Sequence, residues 1–182
     1  MYESVTGKFS DPNAVATHFH LREGDVVADF GAGSGFYMKV LSELVGRSGI
    51  VYLCEVQKSL VEALGIKARQ LRLSNTRVLW GDFEVIGGTK INEGSLDAVI
   101  LSNVLFQLHD KASAFQEVAR TMKKGGKLFI IDWKSSFSGL GPQPEYVVIE
   151  DVTRSYAEQV GFVYERSFPT GEHHYGIALR KQ

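Results

Sequence analysis

The sequence predicts an α/β fold, a mostly parallel sheet sandwiched between two layers of helices. Three observations lead there. Short apolar, β-branched runs alternate with segments of helical periodicity, the pattern of βαβ units. A glycine-rich turn, DFGAGSG, joins the first such run to a helical pattern. The last two runs are linked by only about five residues, too few for a parallel crossover, so they form an antiparallel hairpin.

Element by element, Asp11-Pro12 reads as an N-cap followed by proline at the first helical position, opening a short helix to about His20. A turn at 22–25 leads into the first strand, 26–30. Beyond the glycines, a helix places Phe36, Val40, Leu41, Leu44 and Val45 on one face and stops at Gly46 and Gly49. The second strand runs from Ile50 to Cys54 and ends at Glu55. The next helix is expected from Ser59, read as its cap, to Leu73. A short third strand, 77–80, is closed by Gly81-Asp82-Phe83, and 86–95 is loop. Residues 96–102 are strongly apolar and too continuous to be half exposed, which predicts a central strand.

Ala112, Phe115, Val118, Ala119 and Met122 mark an amphipathic helix. Lys123-Lys124-Gly125-Gly126 should end it, with the two lysines facing water at its negative pole. The fifth strand is 127–132. A Ser/Gly/Pro loop, 134–145, precedes a helix carrying Ile149, Val152, Tyr156, Ala157 and Val160, which stops at Gly161. Strands at 162–168 and 174–179 complete the chain.

Composition narrows the function. The 182 residues suit one domain, 1–182, with an N-terminal helix region at 1–22. Twenty basic and 21 acidic residues leave a net charge of −1, which gives no general attraction to nucleic acid or anionic membrane. The lone Cys54 excludes an internal disulfide and points to a reducing, cytoplasmic setting. No secretory leader and no transmembrane run is evident. His173-His174 lacks the neighbours that a metal site needs.

The glycine turn is the sharpest feature. Gly31, Gly33 and Gly35 permit close approach of a ligand to the backbone, and a following helix N-terminus would face the ligand's negative end. A dinucleotide fingerprint wants G-x-G-x-x-G, whereas here the third glycine comes one position early and Phe36 stands in its place. Asp29 just ahead of the turn would repel a pyrophosphate by about 1 kcal/mol if partly solvated. A ligand carrying an amine cation and a sulfonium would instead be attracted, favouring S-adenosylmethionine (SAM) over NAD.

D-x-G-x-G-x-G after the first strand resembles motif I of the class I SAM-dependent methyltransferases, and the likeness extends from about Val26 to Leu179. The run AFQEVARTMKKGGKLFIIDW is similar to the ubiquinone/menaquinone-biosynthesis-like branch. This resemblance implies a Rossmann-like sheet of seven strands in the order 3-2-1-4-5-7-6, the last strand antiparallel. It further implies that Glu55 receives the ribose hydroxyls, with Val56 beside it. Gly81 and Asp82 would meet the adenine amino group, and Phe83 would flank the ring. Asn103 and Val104 would line the methionine end, and Asp29, Gly31, Ala32, Gly33, Gly35 and Phe36 the loop. The expected reaction is in-line transfer of the sulfonium methyl to an N, O or C acceptor.

Physical chemistry supports these roles independently: a carboxylate offers acceptors to two vicinal hydroxyls at once, and an aromatic ring covers a purine edge. Other readings stay open. His109-Asp110 is either a base with its orienting partner or an incidental histidine beside a helix cap. Phe106 and Trp133 belong either to the core or to the acceptor side, and Tyr37 either touches the cofactor or is solvated. Two rival functions remain: a cofactor-binding but catalytically silent partner subunit, and an NAD(P)-dependent oxidoreductase. The short segment 134–145 predicts an open acceptor site, suited to a protein, a lipid-like molecule, or a small acceptor covered by a partner subunit or a second copy. Nucleic acid is the least favoured acceptor.

Overall fold

Asp11 opens the first helix as expected: its Oδ1 accepts the Asn13 N–H at 2.9 Å, and Pro12 occupies the first turn. The computed structural model describes residues 11–137 and 141–182. Helix α1 (Pro12–Ala16) is shorter than the sequence predicts. The Thr17 hydroxyl donates to the Ala14 carbonyl, and the chain then turns to bury Phe19 against Phe129, ring centroids 4.6 Å apart. Of the predicted N-terminal region, 1–10 lies outside the described residues, as do 138–140 of the predicted acceptor-side loop.

The chain continues through β1 (Val26–Phe30), α2 (Met38–Val45), β2 (Ile50–Glu55), α3 (Lys58–Gln70), β3 (Thr76–Trp80) and β4 (Leu96–Ser102). It ends with α4 (Lys111–Thr121), β5 (Met122–Trp133), α5 (Glu150–Gln159), β6 (Phe162–Ser167) and β7 (His174–Lys181). The sheet order is β3-β2-β1-β4-β5-β7-β6. Strand β7 is antiparallel to both its neighbours; the other pairs are parallel.

Alternation along each strand divides the core between the two sheet faces. Val27, Leu53, Ile100 and Phe129 pack against Val15 of α1, Leu41 of α2 and Leu64 of α3. Phe30, Leu101 and Ile130 pack against Phe115 and Val118 of α4 and Ala157 of α5. Strand β4 has Val99 and Ile100 fully buried on opposite faces, which is why its sequence shows no polar alternation.

Several local expectations change. Gly31, Gly33 and Gly35 all have positive φ, so α2 begins only at Met38. Phe36 therefore lies outside the helix, and it and Leu44 are exposed. Ser59 falls inside α3 and caps nothing, because the N-cap position belongs to Gln57. On α5, Thr153 and Ala157 face the sheet, while Ile149 and Val152 are exposed. The lysines after α4 do not serve its C-terminus. Strand β5 already begins at Met122, and Lys123 pairs with Asp97 at 2.6 Å. The Lys181 ammonium from β7 caps that end instead, donating to the Ala119 and Met122 carbonyls at 2.6 and 2.8 Å.

Candidate functional site

In an open α/β sheet, ligands bind beyond the carboxyl ends of the strands where the strand order reverses. Here that point lies between β1 and β4, and the glycine loop leaves β1 directly into it. The Gly31 and Ala32 N–H groups both donate to the Cys54 carbonyl, at 2.9 and 3.1 Å. From α3 the Lys67 ammonium reaches back to the Ser34 and Gly35 carbonyls at 2.8 and 3.0 Å. The three glycines answer different needs. A Cβ on Gly31 would lie 2.6 Å from Val104 Cγ2, and one on Gly35 2.8 Å from Leu64 Cδ2, whereas one on Gly33 would meet nothing nearer than 3.9 Å. Gly35 thus serves loop packing, and Gly33 leaves open space.

Two cavities of about 400 Å³ each flank this loop and share Gly31, Gly33 and Gln107. Both fall within the roughly 300–1,000 Å³ common for small-molecule sites. The first gathers Glu55, Val56, Gly81, Asp82, Phe83 and Val104. Glu55 is 5% exposed, and its carboxylate already accepts three backbone N–H groups: Gly33 at 3.0 Å, Val56 at 2.9 Å and Gln57 at 2.9 Å. Asp82 accepts the Glu84 N–H at 2.9 Å, an Asx turn that bends the chain around the cavity. The Phe83 ring packs on Phe30, centroids 5.5 Å apart, and forms part of the wall.

The second cavity gathers Asp29, Ala32, Phe36, Asn103, Trp133 and His174. Burial, and after it the charge of Glu55, raises the Asp29 carboxyl to about 7. Asn103 sits at a left-handed φ of 53°, and its buried Oδ1 has no partner among the described residues. The Asn103 segment is held from below by Asp132, fully buried at the end of β5. Its Oδ2 accepts the Val104 and Leu105 N–H groups at 3.2 and 2.9 Å, and its Oδ1 accepts the Trp133 N–H at 2.8 Å. Burial raises the Asp132 carboxyl to about 6 against the lowering effect of those three bonds.

The structure thus brings together all the sequence-derived site residues except Gly35, which lines neither cavity; Val104, expected beside Asn103 at the methionine end, lines the first cavity with Glu55 and Phe83 instead. His109 is exposed and lines the first cavity, not the second, which holds Asp29. Asp110 does not orient it: both Asp110 oxygens accept from Ser113, N–H at 3.0 Å and hydroxyl at 2.6 Å, capping α4. Phe106 lines an adjoining groove with Tyr146 and Tyr156, which shares Gln107, Leu108 and His109 with the first cavity. Tyr37 is buried and lines the second cavity, so the solvated reading falls. Trp133 is buried and also lines that cavity. Sequence reading missed Gln107, Asp132 and His174. Asp132 carried a usable signal, since it ends an apolar strand as Glu55 does. Among the described residues no cluster of metal-ligating side chains exists, and no helix is long and apolar enough to cross a membrane.

Comparison with known proteins agrees with this geometry. Residues 28–130 match a family model described as a methyltransferase domain. An arsenite methyltransferase from Aquipseudomonas alcaligenes is 32% identical over 116 residues, 62% of this chain and 34% of its own length. A ubiquinone/menaquinone biosynthesis C-methyltransferase from Hydrogenovibrio crunogenus is 27% identical over 62% of this chain and 44% of its own. The chain spans about one third to one half of the length of these curated relatives. Among solved structures, a SAM-dependent methyltransferase from Aquifex aeolicus superposes with a TM-score of 0.86 at 31% identity, covering 94% of this chain and 89% of that one.

Proposed function

Because the chain belongs to the methyltransferase domain family, we propose that it is a SAM-dependent methyltransferase that binds its cofactor across the two cavities. One observation carries this reading: the cavities meet at Gly31 and Gly33, with the Glu55 carboxylate on one side and the Asp29 carboxyl on the other. That arrangement fits a ligand with a diol at one end and a cationic amine at the other. A pyrophosphate seated on the loop beside Asp29 would instead be repelled by that carboxyl once it ionises.

In this reading Gly81, Asp82, Phe83 and Val104 enclose the adenine, and the ribose hydroxyls donate to Glu55 beside Val56. The methionine end lies along Ala32, Phe36 and Asn103, its ammonium shared by Asp29 and the unpartnered Asn103 Oδ1. Gly35 shapes the loop without touching the ligand. When bound, SAM supplies an electrophilic methyl on a sulfonium that departs as a neutral thioether. The chain's own residues orient and desolvate; alignment of that kind is worth about 7–11 kcal/mol. No dedicated base is required of His109. The acceptor approaches from the side of Trp133 and the loop that follows it, and the lone buried Cys54 suits a reducing cytoplasm.

Calorimetric titration tests the proposal. SAM and its demethylated product S-adenosylhomocysteine (SAH) should both bind, NAD should not, and methyl-labelled SAM should transfer label to a fraction of cell extract. Binding of NAD in preference to SAH would overturn it. SAH binding with no transfer to any fraction would favour the silent partner subunit.

A further inference from the structure

The methyltransferase reading gives His174, in the second cavity, no task. His174 is 3% exposed, and both its ring nitrogens lack a hydrogen-bond partner among the described residues. A buried polar atom left unpaired is costly, and such atoms in native proteins call for a partner. Trp133, its register partner across β5 and β7, holds the imidazole at a centroid distance of 4.3 Å and an angle of 43°. On the same cavity stands Phe36, 49% exposed and edge-on to Tyr37. The cavity thus has aromatic walls around one unpaired imidazole.

Charge narrows the occupant. No lysine or arginine lines this cavity, so no cation would contact an anionic acceptor directly. A cationic acceptor would meet the sulfonium. Burial, and behind it the charges of His173 and Lys134, lowers the His174 imidazole to about 4, leaving one nitrogen as donor and the other as acceptor near neutrality.

We propose that His174 and Trp133 form the methyl-acceptor subsite, and that the acceptor is an uncharged molecule whose nucleophilic O–H or N–H, borne on a planar group, hydrogen-bonds His174 while the plane lies against Trp133. This rests on the methyltransferase reading and adds the class of acceptor to it. The neutral imidazole accepts the hydrogen bond of the nucleophile; as the nucleophile's lone pair bonds the methyl and the carbon–sulfur bond breaks to leave the neutral thioether, the acceptor's proton passes to His174 and from there to solvent. An acceptor lacking that hydrogen leaves His174 unsatisfied and is discriminated against.

The test uses phenol, toluene, benzoate and benzylamine as probes on the SAH-loaded protein, read by ligand-observed NMR. SAH binding to the wild-type protein is measured first. Its absence defeats the methyltransferase reading itself. With SAH bound, phenol should bind about tenfold more tightly than toluene, the worth of one hydrogen bond to a buried polar group. Benzoate and benzylamine, both charged at neutral pH, should bind no better than toluene. His174→Phe removes both nitrogens in a ring of similar size and should erase the preference for phenol. Because that variant can fail to fold, a second measurement uses the wild-type protein labelled with ¹⁵N-histidine. Phenol should shift a His174 ring-nitrogen resonance and toluene should not. Equal binding of phenol and toluene, preference for either charged probe, or an unmoved His174 resonance would overturn the subsite while leaving SAH binding intact.

Discussion

Glu55 and Gly33 are joined across the site: the carboxylate at the end of β2 accepts the Gly33 N–H at 3.0 Å through Oε2, while Oε1 accepts the two backbone N–H groups that lead into α3. One side chain therefore sets both the position of the glycine loop and the acceptor surface offered to a ligand's hydroxyls. Three of its roughly four lone-pair sites are taken by backbone, so a ligand must use what remains or displace the Gly33 bond.

Glu55→Gln preserves volume but replaces one acceptor oxygen by a donor facing backbone N–H groups. Loss of one charge-assisted bond, about 1.5–3 kcal/mol, predicts SAH binding weakened roughly 10- to 100-fold. Calorimetry on the folded variant checks this, and unchanged affinity would remove the ribose from Glu55.

The glycines should separate by their surroundings. Gly31→Ala drives its Cβ to 2.6 Å from Val104 Cγ2 at a positive φ, and should destabilise the fold by about 1–3 kcal/mol as well as weaken SAH binding. Gly33→Ala meets nothing within 3.9 Å and should carry only a left-handed backbone cost of about 1–2 kcal/mol. Its loss in SAH affinity should exceed its loss in thermal stability. Thermal melts and titration of both variants read the difference, and a larger melting-temperature drop for Gly33→Ala would contradict the packing described.

Asp29 predicts a pH dependence. Its carboxyl is raised to about 7 in the fold against an ordinary 3.8. The folded chain therefore binds more protons than the unfolded one between those values, and this group's stabilising contribution is lost as pH rises through 7. A ligand ammonium favours the ionised form, so SAH affinity should rise with pH by up to about tenfold per unit below pH 7 and level off above it. Asp29→Asn should flatten both dependences. An affinity that falls with pH between 5.5 and 7 would place the ammonium elsewhere.

Asp132 holds three backbone N–H groups with two oxygens. Asp132→Asn leaves a single acceptor atom and turns its amide N–H₂ toward donors, so at least one N–H loses its bond, at about 1–3 kcal/mol. Melting temperature should fall, and SAH affinity with it, because Val104 presses on Gly31. A variant that melts as the wild type does would show that this carboxylate does not hold the 103–105 segment.

Much of the frame was legible in the chain because local rules and tertiary packing agree there. Strand β4 is buried on both faces and reads as a strongly apolar run; the six-residue link between β6 and β7 admits only a hairpin. The DFGAGSG turn stands where strand order reverses, so its glycines and the acids at strand ends marked the site. Other features depend on contacts distant in sequence. Lys181 reaches the end of α4 from β7, and nothing near Lys123 reveals that its own partner is Asp97. Phe36 reads as a helix face only if the helix starts directly after Gly35, whereas α2 begins at Met38 with Tyr37 at its N-cap. His174 looks like half of a histidine pair until β5 places Trp133 beside it.

A crystal structure of the complex with SAH tests the central claim most directly. The account predicts the adenine between Phe83 and Val104, the ribose hydroxyls within hydrogen-bond distance of Glu55, and the ammonium beside Asp29. An adenosine on the Asp29 side of the loop, or a ligand seated away from Gly31 and Gly33, would contradict it.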